Sequence, residues 1–139
     1  MRSRHRYLLD TNVISETRRS RMDESVHAFL TDTDVTTLYL SVLTLGELRK
    51  GIATRRRTDS ATADALSAWV DGLEQNFADR IVPIDARTAK LWGELSSDRS
   101  RPVIDTLMAA TAIANGFTLV TRNSRDFAGM EVPLVNPFS

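Results

Sequence analysis

Four acidic side chains stand beside apolar segments of this 139-residue chain, where a carboxylate is costly. A carboxylate in apolar surroundings raises the free energy of the fold unless it is paired or binds a metal. Two unit negative charges about 4 Å apart repel by roughly 4 kcal/mol at an effective dielectric constant near 20. If the four side chains gather, they therefore need a cation. They are Asp10, Glu47, Asp105 and Asp126.

The other residue types restrict which cation these carboxylates could bind. The chain has no cysteine and only two histidines, His5 and His27, so a metal would meet oxygen ligands. This set favours Mg²⁺ or Mn²⁺ over zinc and excludes iron–sulfur sites, disulfide frameworks and a cysteine nucleophile. A bound divalent cation can activate water and neutralise phosphodiester charge without a histidine base. The pattern therefore favours phosphoryl chemistry.

Each of the four carboxylates also has a purely structural interpretation. Asp10 could cap the helix that follows it, and Asp105 could be a first-turn acid favoured by the helix dipole. Glu47 could pair with Lys50, and Asp126 could form an Asx-turn. These alternatives stay open at the level of single residues.

Alternating elements predict how the four carboxylates come together. Strands that alternate with helices predict an α/β fold with a parallel β-sheet flanked by α-helices. Functional groups of such a sheet gather at the carboxyl ends of its strands, so Asp10 and Asp126 should share an edge with the starts of the helices that carry Glu47 and Asp105. We expect Asp85 to cap a helix, Pro102 to take a first helical position and Gly116 to end that helix. The predicted strands are 7–9, 37–42, 81–84, 118–121 and 132–135, and the predicted long helices are 43–57 and 61–78.

Composition predicts one globular domain, residues 1–139, with 42% hydrophobic positions and a formal net charge of zero. Residues 1–57 nevertheless carry 11 basic and 7 acidic groups, and the arginines cluster in residues 2–6, 18–21 and 49–57. Arginine suits RNA or DNA phosphates, although charge runs are usually solvated helix faces. No apolar run is long enough for a membrane span or signal peptide, and the lack of cysteine is typical of a reducing cytoplasm.

Four short motifs, in this order and spacing, resemble the PIN-domain family, most closely the VapC toxins of type II toxin–antitoxin systems and their FitB-like relatives. The resemblance covers nearly the whole chain, from about Tyr7 to Phe138. The motifs are Leu8-Leu9-Asp10-Thr11-Asn12-Val13-Ile14-Ser15-Glu16, Gly46-Glu47-Leu48, Val103-Ile104-Asp105 followed by Met108-Ala109-Ala110-Thr111-Ala112, and Leu119-Val120-Thr121-Arg122-Asn123 leading to Asp126-Phe127.

The resemblance implies a PIN-like fold and an acidic pocket that binds Mg²⁺ or Mn²⁺ and hydrolyses RNA. Asp10 and Asp105 match the family's principal metal-ligand aspartates, and Glu47 and Asp126 match its other two acidic positions. It also implies a homodimer, inhibition by a VapB-type antitoxin, and contact with operator DNA only through that antitoxin. Four further residues resemble groups that orient the carboxylates: Thr11, Asn12, Thr121 and Asn123.

Two other functions compete with this interpretation. A haloacid-dehalogenase-like phosphatase would use Asp10 as nucleophile, but it needs a second aspartate at position 12, where this chain has Asn12. A catalytically weak PIN domain could instead act only as a binding module with its antitoxin on operator DNA. The chain departs from the family around Asp105, where Arg101-Pro102 precedes the motif and Thr106 replaces a small residue, and this could tune contacts with substrate or antitoxin.

Overall fold

Five parallel strands form the centre of the fold, in the order β3-β2-β1-β4-β5. The computed structural model describes residues 5–139. The strands are short because each buried apolar segment ends at a residue that begins a helix or turn. They are β1 (Tyr7–Leu9), β2 (Leu38–Ser41), β3 (Ile81–Val82), β4 (Thr118–Val120) and β5 (Leu134–Val135).

Six helices in residues 5–139 connect and flank these strands. Four of them follow aspartates whose side chains accept backbone N–H groups of the first turn, which are Asp10, Asp23, Asp59 and Asp85. The helices are α1 (Thr11–Glu16), α2 (Glu24–Asp32), α3 (Val42–Arg56), α4 (Ser60–Asn76), α5 (Ala86–Leu95) and α6 (Val103–Asn115), with 3₁₀ turns at Val35–Thr37 and Ser124–Phe127.

Alternate residues of the central strands pack into two cores on opposite faces of the sheet. Leu8 and Leu119 belong to a core that includes Met108 of α6. Leu9 and Val120 belong to the second core, with apolar residues of α1, α2 and α4. This alternation follows from the two-residue period of a strand. Burial on both faces explains why the central strands read as continuous apolar runs.

The parallel α/β architecture predicted from the sequence is confirmed, and its element boundaries shift by a few residues. Val42 begins α3 instead of ending β2, and β5 starts at Leu134 instead of 132. Pro102 is the residue before α6, so its prediction as a first helical residue was wrong by one position. Gly116 ends α6 as predicted, with a left-handed φ of 71°.

Two side chains at the start of α6 bond to nearby backbone carbonyl oxygens. The Arg101 side chain is only 9% exposed and its Nε donates to the Leu95 carbonyl oxygen at 2.9 Å. Thr106 is buried, and its hydroxyl donates to the Pro102 carbonyl oxygen at 2.6 Å. These two residues therefore fix the start of α6. Separately, no helix within residues 5–139 is long and apolar enough to cross a membrane.

Candidate active site

Asp10 lies where β1 ends and α1 begins. Its backbone N–H donates to the Val120 carbonyl oxygen at 2.9 Å, which continues the β1–β4 ladder by one residue. Its Oδ1 accepts the Thr11 backbone N–H at 2.7 Å, so Asp10 also caps α1. The residue is 7% exposed. The cap considered as a structural alternative is therefore present, and the same carboxylate lies at the carboxyl edge of the sheet.

A polar network holds the second oxygen of Asp10. The Thr121 hydroxyl donates to Oδ2 at 2.8 Å, and Asn12 Nδ2 lies 3.3 Å from the same oxygen. The hydroxyl oxygen of Thr121 in turn accepts the Asn123 backbone N–H at 3.0 Å. Asn12 Oδ1 accepts the Arg122 backbone N–H at 3.1 Å. Asn12 thus joins the end of β1 to the segment that follows β4.

Glu47 joins the same site through Thr11. The Thr11 hydroxyl donates to Glu47 Oε1 at 2.6 Å, and it lies 3.1 Å from the hydroxyl oxygen of the fully buried Thr44. Glu47 therefore accepts a hydrogen bond from Thr11 of α1. The structural alternative, an ion pair between Glu47 and Lys50, is not formed within residues 5–139. Sequence reasoning missed Thr44, although its position three residues before Glu47 on α3 places it on nearly the same helix face.

Asp105 and Asp126 complete the acidic cluster from the other side. Asp105 is half-buried in the first turn of α6, and Asp126 is exposed in the 3₁₀ turn after β4. Burial raises the pKa of Asp105, and so do the negative charges of Asp10, Asp126 and Glu47, in that order. The other three predicted carboxylates therefore all lie close enough to Asp105 for their charges to act on it.

The Asp10 carboxylate is under opposing influences. Burial raises the pKa of Asp10 and outweighs the hydrogen bonds from Thr121, Thr11 and Asn12, which lower it, while the charge of Glu47 raises it further. Within residues 5–139, no Lys, Arg or His forms an ion pair with any of the four carboxylates. A buried carboxylate without a cationic side chain is costly, and a metal ion is one way to offset that cost.

The donor chemistry suits a hard cation, but the side chains do not form a closed cage. In the described part of the chain, no group of three or more His, Cys, Asp or Glu side chains is arranged to hold a metal ion by itself. Two carboxylates are nevertheless sufficient for Mg²⁺, which usually keeps several waters and takes other ligands from substrate phosphates. Asp10 and Asp105 supply two carboxylates for such an open site, and they lie close enough for the charge of Asp10 to raise the pKa of Asp105.

The arginine clusters have different surroundings. Arg49 pairs with Asp71 and Glu74 of α4, and Arg56 pairs with Asp64 at 2.7 Å. Arg18 and Arg55 instead line a groove that begins at Thr11 and Glu47. Of the amino-terminal cluster, the residues numbered 1–4 lie outside the described residues. The guanidinium group of Arg6 lies over the Phe117 ring at 4.6 Å, at the amino end of the sheet.

Comparisons with known proteins agree with this geometry. The model of the PIN domain family matches residues 7–132. The chain is 34% identical to the VapC ribonuclease Y4jK of Sinorhizobium fredii over 94% of this chain and 96% of the relative. It is 33% identical to the toxin FitB of Neisseria gonorrhoeae, covering 94% and 97% of the two chains.

Solved structures give the same result. The crystal structure of FitAcB from Neisseria gonorrhoeae superposes with a TM-score of 0.85 at 32% identity, over 94% of this chain and 97% of that one. A structure of FitAB bound to a DNA fragment has the same TM-score at 30% identity and covers 96% of both chains.

Proposed function

Because the chain belongs to the PIN-domain family, we propose that it is the toxin of a toxin–antitoxin pair, a metal-dependent endoribonuclease whose single domain spans residues 1–139. The observation that carries this proposal is the buried carboxylate of Asp10 at the carboxyl edge of the sheet, which Thr121 and Thr11 hold by hydrogen bonds while Thr11 also binds Glu47. Four carboxylates with no cationic partner in residues 5–139 are unsuited to binding a polyanion unless a cation is present. A relative that is named a ribonuclease supports the RNA substrate.

In this proposal, Asp10 and Asp105 hold the metal, and the other two acidic residues complete the site. When bound, Mg²⁺ or Mn²⁺ would supply charge neutralisation at the phosphodiester and acidify a water molecule. Glu47 and Asp126 would position the attacking water, because carboxylate oxygens can accept its hydrogen bonds. Thr121 and Asn12 orient Asp10, while Thr11 orients Glu47.

We further propose that the protein acts in the cytoplasm and is inhibited by a VapB-type antitoxin, through which alone it reaches operator DNA. The FitAB structure with DNA supports this arrangement by similarity. A homodimer is also expected. Three exposed apolar side chains in the first turns of α3 and α6 support it, because exposed apolar surfaces commonly mark interfaces. They are Val42, Val103 and Ile104.

The test is to incubate purified, antitoxin-free protein with total cellular RNA and to sequence the new ends. Reactions contain Mg²⁺, Mn²⁺ or EDTA, and they compare wild type with Asp10→Asn and Asp105→Asn. We expect discrete cuts that require both metal and the two aspartates. Asp85→Asn is the matched control, because Asp85 is an exposed helix cap that asparagine can replace.

Two results would contradict the assignment. Full cleavage by Asp10→Asn or Asp105→Asn would remove these residues from the site. No cleavage in any reaction, together with no Mg²⁺ or Mn²⁺ binding by calorimetry, would indicate the non-catalytic binding module.

A further inference from the structure

A groove between three helices leads away from the acidic site. It has a volume of about 570 Å³ and is lined by residues of α1, α3 and α4 and by Arg18, just after α1. One end is formed by Thr11 and Glu47, which are hydrogen-bonded to each other at 2.6 Å. We call it the α1–α3–α4 groove and define it by Thr11, Arg18, Glu47, Arg55 and Trp69. It is therefore continuous with the candidate active site.

The two arginines of the groove are exposed, and the charge of Arg55 acts on one nearby carboxylate by lowering the pKa of Asp59. In residues 5–139, neither Arg18 nor Arg55 takes part in an ion pair, and both side chains are exposed. Arg56, the next residue on α3, is paired with Asp64 at 2.7 Å. The guanidinium groups of Arg18 and Arg55 are thus accessible to an anion, whereas that of Arg56 is held in an ion pair.

An aromatic ring lies beside these cations. Trp69 is half-buried: part of it packs against the apolar contacts between α3 and α4, and it also lines the groove. The guanidinium carbon of Arg18 lies 5.7 Å from the centre of the Trp69 ring. Aromatic rings beside arginines bind unpaired nucleotides without sequence preference, because every base has a face that can stack.

The spacing along α3 suits an extended strand. Glu47, Gly51 and Arg55 follow one another at intervals of four residues, so they share one face of the helix. Eight residues of helix separate Glu47 from Arg55 by about 12 Å along the axis. Gly51, between them, has no side chain, and a Cβ built there meets no atom within 4 Å. The groove is therefore open from the acidic site to Arg55.

We propose that the α1–α3–α4 groove binds the single-stranded RNA segment that flanks the cleaved phosphodiester. One base of this segment stacks on Trp69, and its phosphates contact Arg18 and Arg55. Positive groups next to an acidic site hold the polyanion beside the carboxylates, which would otherwise repel it. This inference rests on the proposed endoribonuclease function, and it selects unpaired RNA over a duplex, whose bases are not free to stack on a side chain.

The experiment measures binding of a fluorescein-labelled, mixed-sequence 12-nucleotide RNA by anisotropy, in EDTA and over a range of salt concentrations. All proteins carry Asp10→Asn so that the RNA stays intact. The slope of log affinity against log salt concentration should be smaller in magnitude by about 0.7 in Arg18→Gln, and likewise in Arg55→Gln, than in the parent protein. This is the change expected when one phosphate contact to a single strand is lost. Arg56→Gln is the matched control and should leave the slope unchanged.

The aromatic contact is tested separately. Trp69→Leu should weaken RNA binding by about tenfold, within the range for one lost base stack, while Trp69→Phe should bind within about twofold of the parent. Gly51→Leu places a side chain in the groove at a position whose Cβ meets no atom within 4 Å, and leucine is the better helix former, so this variant should bind RNA more weakly while its melting temperature does not fall. In a Trp92→Phe background, Trp69 is the one remaining tryptophan, and RNA should quench its fluorescence.

The outcomes separate the groove from the nuclease. If wild type cleaves RNA but the Arg18, Arg55, Trp69 and Gly51 variants bind RNA as Arg56→Gln does, the groove assignment is wrong and the nuclease stands. If those variants lose only binding of the antitoxin, the groove is a protein-binding surface and the inference is also wrong. If wild type neither binds nor cleaves RNA, both proposals fail.

Discussion

Thr121 is the residue that most directly sets how Asp10 faces the site. Its hydroxyl is fully buried, donates to Asp10 Oδ2 at 2.8 Å and accepts the Asn123 backbone N–H at 3.0 Å. The hydroxyl proton therefore points at the carboxylate. In a site where the metal is bound by few protein ligands, the orientation of each ligand has a large effect on affinity.

Thr121→Val should reduce the affinity for Mn²⁺ and the cleavage rate by about 10–100-fold, because valine has the same shape but cannot donate to Asp10. Calorimetric titration with Mn²⁺ and initial cleavage rates measure the two effects. Thr121→Ser keeps the hydroxyl and is the control, expected close to wild type. Wild-type metal affinity in Thr121→Val would show that the hydrogen bond does not position Asp10.

Asp105→Asn should raise the melting temperature at pH 7 in EDTA. Burial and then the charges of Asp10, Asp126 and Glu47 raise the pKa of Asp105, so the folded protein holds its proton more tightly than the unfolded chain does. The stabilising contribution of this group is full below the unfolded value of 3.8 and is lost as pH rises through the folded pKa. Asparagine carries no charge and avoids that loss.

The gain should therefore vanish when melting is measured well below pH 3.8. Asp85→Asn should instead lower the melting temperature at pH 7. The backbone N–H of Thr88 lowers the pKa of Asp85, so the carboxylate of Asp85 stabilises the folded protein at that pH. A lower melting temperature for Asp105→Asn at pH 7 would mean that the carboxylate is favourably paired in the folded protein.

At the scale of elements, the end of α6 shows a requirement for glycine. Gly116 has a φ of 71°, and its backbone N–H bonds to the carbonyl oxygens of the last helical turn. A Cβ at this position would meet Arg6 at 3.7 Å, an ordinary contact, so the difficulty is backbone conformation and not space. The turn returns the chain from α6 directly into β4, and so places Thr121.

Gly116→Ala should lower the free energy of unfolding by about 1–2 kcal/mol, the cost of a left-handed conformation for a residue with a Cβ. Urea denaturation in EDTA measures this change. Gly72→Ala, within α4, is the control: nothing lies within 4 Å of its Cβ, and it should stabilise the protein by about 0.5–1 kcal/mol. Equal effects of the two substitutions would contradict the conformational explanation.

At the scale of the whole molecule, the site links separated parts of the chain. The network around Asp10 joins β1, α1 and the end of β4, and the carboxylates of α3, α6 and the turn after β4 face it. A cation bound there would hold these elements together only in the folded state. Metal binding should therefore act on the stability of the entire domain.

Mg²⁺ or Mn²⁺ should accordingly raise the melting temperature of wild type by several degrees. A ligand present at 100 times its dissociation constant contributes about 2.7 kcal/mol. Differential scanning calorimetry with and without EDTA measures the shift. Asp10→Asn and Asp105→Asn should lose most of it, whereas Asp85→Asn should keep it. An equal shift in all four proteins would place the metal elsewhere.

Sequence was sufficient for much of the architecture because the apolar periodicity and the capping residues are local signals. The strand before Asp10, the cap at Asp85 and the glycine end of α6 all depend on near neighbours in the chain. The boundaries were less accurate at Val42 and Pro102, because either residue fits both sides of a boundary and packing decides between them.

The choice of four carboxylates also came from the sequence, since each lies at an apolar segment and matches a family motif. What only the tertiary structure decided is how they are connected. Three hydrogen bonds join residues that are 33 to 111 positions apart in the chain. They link Thr11 to Thr44, Thr11 to Glu47, and Thr121 to Asp10. Only the tertiary structure also shows that Arg56 forms an ion pair, whereas the adjacent Arg55 forms none within residues 5–139. A linear pattern gives the type and order of residues, but hydrogen bonds and ion pairs depend on distances that only folding sets.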